Sequence, residues 1–164
     1  ISYWYNASKK NNQIYNFTSY FTIQGGSNID GNYFWVNNSG YNYNSIFNIN
    51  SNYNSATKQK YRFTNNLFVY TSSLFSINNN NISDSLFLIN NNFIFSNING
   101  NKNSISFGTN SYRAVIANNI FYPSDNFSFG SSIPSSVHLY ITNNYINTPI
   151  GLNTNITNFN KLNF

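Results

Sequence analysis

The sequence predicts an all-β chain that repeats one short unit, a solenoid of about five to six coils, and three observations carry that reading. The palette is Phe, Tyr, Ile, Asn and Ser, in which aromatic and β-branched residues suit strands and the small polar ones suit corners. No window of a dozen residues keeps a helical apolar period free of intruding Asn or Ser. Pairs of asparagine recur at a near-constant interval, each wedged between strand-like runs.

The 164 residues provide for one domain with a sizeable core. Only 7% are charged, against roughly 25% in ordinary globular domains, so Asn, Ser, Thr and Tyr must solvate the surface. The net +5 is scattered, and its one cluster, "KQKYR" at 58–62, reads as a solvated loop; a nucleic-acid partner would need a patch or stripe. Cysteine is absent, which removes disulfides and thiolate metal sites, and no run of eighteen apolar residues spans a membrane. The common residues are those of A+T-rich codons, yet Lys, equally favoured by them, is scarce. Charge has been selected against, as in proteins displayed outside a cell. With no Met and no signal peptide at its start, the chain reads as a processed product or a piece of something longer.

In chain order, residues 1–20, "ISYWYNASKKNNQIYNFTSY", are aromatic and polar and read as an N-terminal cap or the end of an upstream module. The repeating domain is expected over 21–164. Its corners fall at Asn37/Asn38, Asn65/Asn66, Asn91/Asn92, Asn118/Asn119 and Asn143/Asn144, with spacings of 28, 26, 27 and 25 residues between second asparagines. An apolar residue stands two positions before the later pairs (Phe63, Ile89, Ile116, Ile141), and another follows directly (Leu67, Phe93, Ile120, Tyr145); both sets are expected to stack as apolar columns. A further strand follows within each period, at "SIFNI", "SLFSI", "SISF" and "FSF". One coil is then about three short strands, paired at ~4.8 Å with the coils on either side. Asparagine tolerates left-handed backbone, and its amide both donates and accepts. A ladder of Asn38, Asn66, Asn92, Asn119 and Asn144 is therefore expected at one corner. Residues 52–60, 97–102 and 123–126 are expected to project as loops.

The run "FTIQGGSNIDGNYFWVNN" followed by the Asn-pair coils resembles the right-handed parallel β-helix superfamily of pectin-lyase-like topology, over about residues 21–155. Within it, the Asn-rich, acid-poor style is similar to adhesin-like surface proteins of low-GC microbes and to phage tail spike and fibre modules. The resemblance implies a fold that serves many tasks, among them cleavage of acidic polysaccharides.

The residues speak against that chemistry. Glu is absent, and Asp30, Asp84 and Asp125 lie far apart in the repeat, so paired carboxylates for acid and base roles are not expected. Asp30 in "NIDGN" and Asp125 in "PSDN" read as turn residues. The family's lyases use acidic calcium ligands with an arginine base; Arg62 and Arg113 each follow a Tyr ahead of a corner, but no carboxylate cluster accompanies them. With His138 they are expected to form an outward column. No catalytic residue, cofactor or metal is expected. Aromatic residues offer faces for sugar rings, and Trp4, Trp35, Tyr61 and Tyr112 are the candidate glycan contacts, although Phe fills the core and Tyr coats outer strands in the simpler reading. Sequons stand at Asn6, Asn16, Asn37, Asn81, Asn126 and Asn155.

The expected function is that of a non-enzymatic, extracellular surface adhesin or structural fibre module contacting glycans or neighbouring subunits. The alternative is a virion tail spike or fibre that binds a receptor, and a weaker one is a polysaccharide lyase or hydrolase. Neither end shows the Lys or Pro that protects an isolated edge strand, "NITNFNKLNF" holding one Lys, so the ends are expected to meet further repeats or subunits.

Overall fold

A computed structural model describes residues 2–5, 7–15, 21–36, 47–49, 59–70, 76–79, 85–95, 103–107, 113–122, 127–128 and 138–146. Among these the regular elements are strands throughout. They come as six consecutive triplets, here called layers. The first is β1 (Ser2–Tyr5), β2 (Ser8–Lys10) and β3 (Gln13–Tyr15); the second is β4 (Phe21–Gln24), β5 (Ser27–Asp30) and β6 (Tyr33–Val36). The third is β7 (Phe47–Ile49), β8 (Lys60–Thr64) and β9 (Leu67–Tyr70); the fourth is β10 (Ser76–Asn79), β11 (Ser85–Ile89) and β12 (Asn92–Phe95). The fifth is β13 (Asn103–Phe107), β14 (Arg113–Ala117) and β15 (Ile120–Tyr122), and the sixth is β16 (Phe127–Ser128), β17 (His138–Thr142) and β18 (Tyr145–Ile146).

Each layer gives one strand to each of three sheets, ordered β1-β4-β7-β10-β13-β16, β2-β5-β8-β11-β14-β17 and β3-β6-β9-β12-β15-β18. Neighbours in a sheet pair in parallel, so the chain visits the three sheets in turn and returns to each one strand further along. The described part of the segment read from sequence as a cap or the end of an upstream module supplies β1, β2 and β3, which stand at one edge of the three sheets.

Alternation along the strands decides what is inside. In β8, Tyr61 and Phe63 are buried while Lys60 and Arg62 are exposed, because successive side chains leave opposite faces of a strand. The register carries this through the second sheet as the buried row Ile29, Phe63, Leu88, Ile116 and Ile141. Leu88, not Ile89, belongs to it; Ile89 aligns with Thr64 and Ala117 and is half-buried. The second expected column also changes. Leu67, Ile120 and Tyr145 align with Tyr33 and Asn92 on the outward side, and Phe93 lies one residue further on, in the buried row Phe34, Phe68, Phe93 and Phe121. Both shifts come from the triple "NNN" at 90–92, which offers two ways to place one corner.

The phenylalanine row stacks nearly ring on ring, with centroids 4.9, 4.9 and 4.8 Å apart and interplanar angles of 12°, 10° and 5°. Phe47 of the first sheet meets Phe63 of the second and Phe34 and Phe68 of the third, so the core lies where the three sheets converge.

The reading that neither end carries lysine in an edge strand does not hold for the first layer. The edge strand β2 carries two lysines, and Lys9 occupies the row of Ile29 and Phe63. It is half-buried, with its ammonium 5.4 Å from the Trp4 ring centroid. An inward-pointing charge at a sheet edge disfavours adventitious strand pairing, because a further strand would bury it. The terminal run 155–164 and the segments 97–102 and 123–126 lie outside the described residues, as does the 52–60 segment apart from its last two positions.

Candidate functional site

Each passage from the second sheet to the third is a two-residue corner. Its first residue is left-handed in every layer: Asn11, Gly31, Asn65, Asn90, Asn118 and Asn143 have φ between 52° and 64°. Asparagine and glycine are the residues that adopt this conformation at least cost. At Gly31 a Cβ would also collide with the Asn11 Oδ1 of the layer before. Backbone amides of these residues reach the next layer, as in Asn65 N–H to Ile89 O at 3.2 Å and Asn90 N–H to Ala117 O at 3.1 Å.

The second corner residue turns inward, and from the second layer on it is Asn32, Asn66, Asn91, Asn119 and Asn144, all buried. Asn12 begins the row at the edge and is exposed. The row is one hydrogen-bonded ladder with a single sense. Each asparagine donates from its backbone N–H and from Nδ2 to the Oδ1 of its successor, as from Asn66 to Asn91 at 3.0 and 2.9 Å and from Asn91 to Asn119 at 2.9 and 3.0 Å. The other Nδ2 proton returns to a carbonyl of the preceding layer: Asn66 to Ile29 O, Asn91 to Phe63 O, Asn119 to Leu88 O and Asn144 to Ile116 O, each 2.8 Å. The position needs two side-chain donors and a doubly accepting oxygen on a short stem. Among natural side chains only asparagine supplies that set at this length.

Asn66, Asn119 and Asn144 stand in this ladder. Asn92 does not; it opens β12, is exposed, and Asn91 takes the place expected for it. Asn38 lies outside the described residues, and Asn32 holds the second layer's position. Sequence reasoning missed Asn12, Asn32 and Asn91. A search for Asn preceded by either Asn or Gly after a strand would have found "KNN" at 10–12 and "DGN" at 30–32.

The outer faces of the second and third sheets differ in kind. The second carries Lys10, Asp30, Lys60, Arg62, Arg113 and His138. Arg113 and His138 share a column with Lys60 and Ser85, but Arg62 stands two residues along, beside Phe87, Val115 and Tyr140. Counted back from the corner, Arg62 and Arg113 are at different positions, and following a Tyr does not make them equivalent. Their guanidinium groups lie 5.3 Å from the Phe87 ring and 5.1 Å from the Tyr140 ring, a packing role that needs no ligand.

Of the candidate glycan contacts, Tyr61 is fully buried, since it alternates in phase with Phe63, and it cannot touch a ligand outside. Trp4 is half-buried against Phe21, with centroids 4.4 Å apart. Trp35 is exposed on the third sheet. Tyr112, Asp84, Asp125 and all six sequon asparagines lie outside the described residues. No helix among the described residues is long and apolar enough to cross a membrane.

Asp30 ends β5 beside Gly31, and its carboxylate accepts bonds from Thr64 Oγ1 at 2.7 Å and Asn65 Nδ2 at 2.8 Å. These two bonds, that of Thr64 first, hold its carboxyl below the usual carboxylate range against a smaller opposing effect of burial, and the charge of Lys10 adds the least. A depressed pKa contributes stability that is complete above the ordinary carboxylate value and is lost as pH falls through the folded-state value. Asp30→Ala is therefore expected to lower the urea midpoint at neutral pH by an amount equivalent to less than about 1 kcal/mol, given the exposure of the pair, with a gap to wild type that narrows in acid. A gap that stays constant or widens on acidification would contradict this assignment.

No protein-family model, curated protein or solved structure matches the chain.

Proposed function

We propose that the chain is a right-handed parallel β-helix of the pectin-lyase-like kind, serving as a non-enzymatic module of an extracellular surface adhesin or structural fibre. The observation that carries this reading is the asparagine ladder, buried from Asn32 on, which links layer to layer through every described corner between the second and third sheets from Asn12 to Asn144. Such a ladder is a device for holding a stack rigid, and three parallel sheets visited in rotation are what a helical winding of strands produces. A stack built from a chain only 7% charged, with asparagines exposed at its corners, suits display outside a cell.

The inventory of proton-transfer groups supports the non-enzymatic part. The chain holds three Asp, no Glu, no Cys and one His. Of the acids, the described one, Asp30, is engaged by Thr64 and Asn65 in bracing the corner between two layers.

Two measurements test the reading separately. An antibody raised against the chain is expected to label intact source cells as strongly as permeabilised ones; label confined to permeabilised cells would overturn the surface assignment. Incubation with acidic polysaccharides is expected to release no new chain ends. Depolymerisation by wild type that disappears in the Asp30→Asn, Asp84→Asn, Asp125→Asn triple variant would make the protein an enzyme.

A further inference from the structure

We propose that the outer face of the third sheet, at the cluster of Tyr15, Tyr33 and Trp35, binds an uncharged glycan. This deepens the reading of the chain as a surface module by naming its ligand class. Tyr15 in β3 stands over two outward residues of β6, with ring centroids 5.6 Å from Tyr33 and 5.9 Å from Trp35. It meets both nearly edge-on, at 80° and 81°. The core phenylalanines lie flat on one another and hide their faces; an edge contact hides at most one face of one ring, so π surface stays open to solvent. Tyr15 is 47% and Trp35 37% exposed, and the patch runs on along the sheet to Ile94 and Tyr145. Contiguous exposed aromatic and aliphatic side chains on an otherwise polar protein mark a contact surface.

The charge distribution selects the occupant. Among the described residues, the cations and the one anion lie on the second sheet, and the third sheet has none. A face without charge has nothing to compensate a carboxylated or sulfated ligand, and it leaves an acidic or basic partner desolvated without return. What the face offers instead is flat rings with polar groups beside them: the Tyr15 hydroxyl donates to Gln13 Oε1 at 2.6 Å, and Asn92 lies exposed in the same outward column as Gln13 and Tyr33. A pyranose ring has the complementary construction, with a flat C–H face and hydroxyls at its rim. Because the outward columns repeat at the strand spacing, the surface extends in one direction, which suits a polymer better than a single sugar.

Affinity electrophoresis of the intact chain through gels containing a neutral glucan, mannan or galactan, or polygalacturonate, tests this. Retardation by at least one neutral polymer is expected, insensitive to added salt. Trp35→Ala should weaken it about tenfold, as loss of one stacked ring does, with an unchanged circular dichroism spectrum. Arg62→Ala with Arg113→Ala should leave it unaltered. Three results would overturn the proposal: no retardation by any of the neutral polymers; retardation by polygalacturonate alone that salt abolishes, which assigns binding to the second sheet; or self-association lost in Trp35→Ala without glycan retention, which makes a second copy of the chain the occupant. The antibody labelling of intact cells is independent of all three, so the surface assignment and the ligand class can fail separately.

Discussion

Replacing Phe93 by alanine is expected to destabilise the protein by about 3–5 kcal/mol, the range for emptying a phenylalanine site in a packed core. The ring is fully buried and has a partner on each side, Phe68 at 4.9 Å and Phe121 at 4.8 Å, so the cavity opens inside a stack, where neighbours held by strand register cannot close it. Two stacked contacts are lost as well, each adding roughly 0.5–1.5 kcal/mol beyond area, which places the effect toward the top of the range. Ile94→Ala is the control. The next residue along β12 points outward and is 39% exposed, so its truncation should cost less than about 1 kcal/mol. Urea midpoints for the two variants check the phase of β12 directly. Equal losses, or a larger loss for Ile94, would mean that Phe93 does not face the core.

Asn66→Leu is expected to cost about 3–5 kcal/mol although leucine is similar in size and more apolar. The loss arises in the neighbours. Without the Asn66 amide, the Asn32 N–H loses the oxygen it donates to at 2.9 Å, the Ile29 carbonyl loses its 2.8 Å donor, and the Asn91 Oδ1 loses one of two. Two or more buried polar groups left without partners cost about 1–3 kcal/mol each. Aspartate is no rescue, since it keeps the acceptor and lacks both donors while adding a buried charge. The adjacent residue should respond oppositely. Asn65 is exposed with φ 56° and donates to the Asp30 carboxylate, so Asn65→Gly, which keeps the left-handed backbone but loses that exposed bond, is expected to cost less than about 1 kcal/mol, and Asn65→Ala about 1 kcal/mol more from left-handed strain. Thermal unfolding of the three variants separates the two roles, and a mild effect of Asn66→Leu would show that the ladder contributes little.

This pair of positions also shows how far the sequence could be read. In "TNNL" the two asparagines are chemically identical, and local chemistry places a left-handed corner between two strands with good reason. It does not say which amide turns inward. That depends on the phase of the strand before it: Tyr61 and Phe63 bury, the next position of that phase is Asn65, and the left-handed turn at that residue carries the inward direction on to Asn66. Where the corner has only two asparagines, position settles the matter. At "INNNF" three stand in a row, and the expected ladder residue was displaced by one, carrying Ile89 and Phe93 with it. A shift of one residue exchanges the two faces of a strand, so a small ambiguity in a corner became a wrong face for its neighbours.

What the sequence determined by itself is the all-strand composition, the repeated corner, and the membership of Asn66, Asn119 and Asn144 in its recurring pairs, because strand alternation and left-handed tolerance are properties of a few adjacent residues. The second layer was hidden from a search for asparagine pairs, since Gly31 does the work of an asparagine there and 34 residues separate Asn32 from Asn66. Only the tertiary structure decided which residues share a column. It placed Tyr61 inside, separated Arg62 from Arg113, set Lys9 in an inward row at an edge, and brought Tyr15, Tyr33 and Trp35 together on an uncharged face. The physical reason is that a column is made by hydrogen-bond register between strands about 19 or more residues apart, and register is settled by the joint burial of rings and amides in the stack rather than by any one segment.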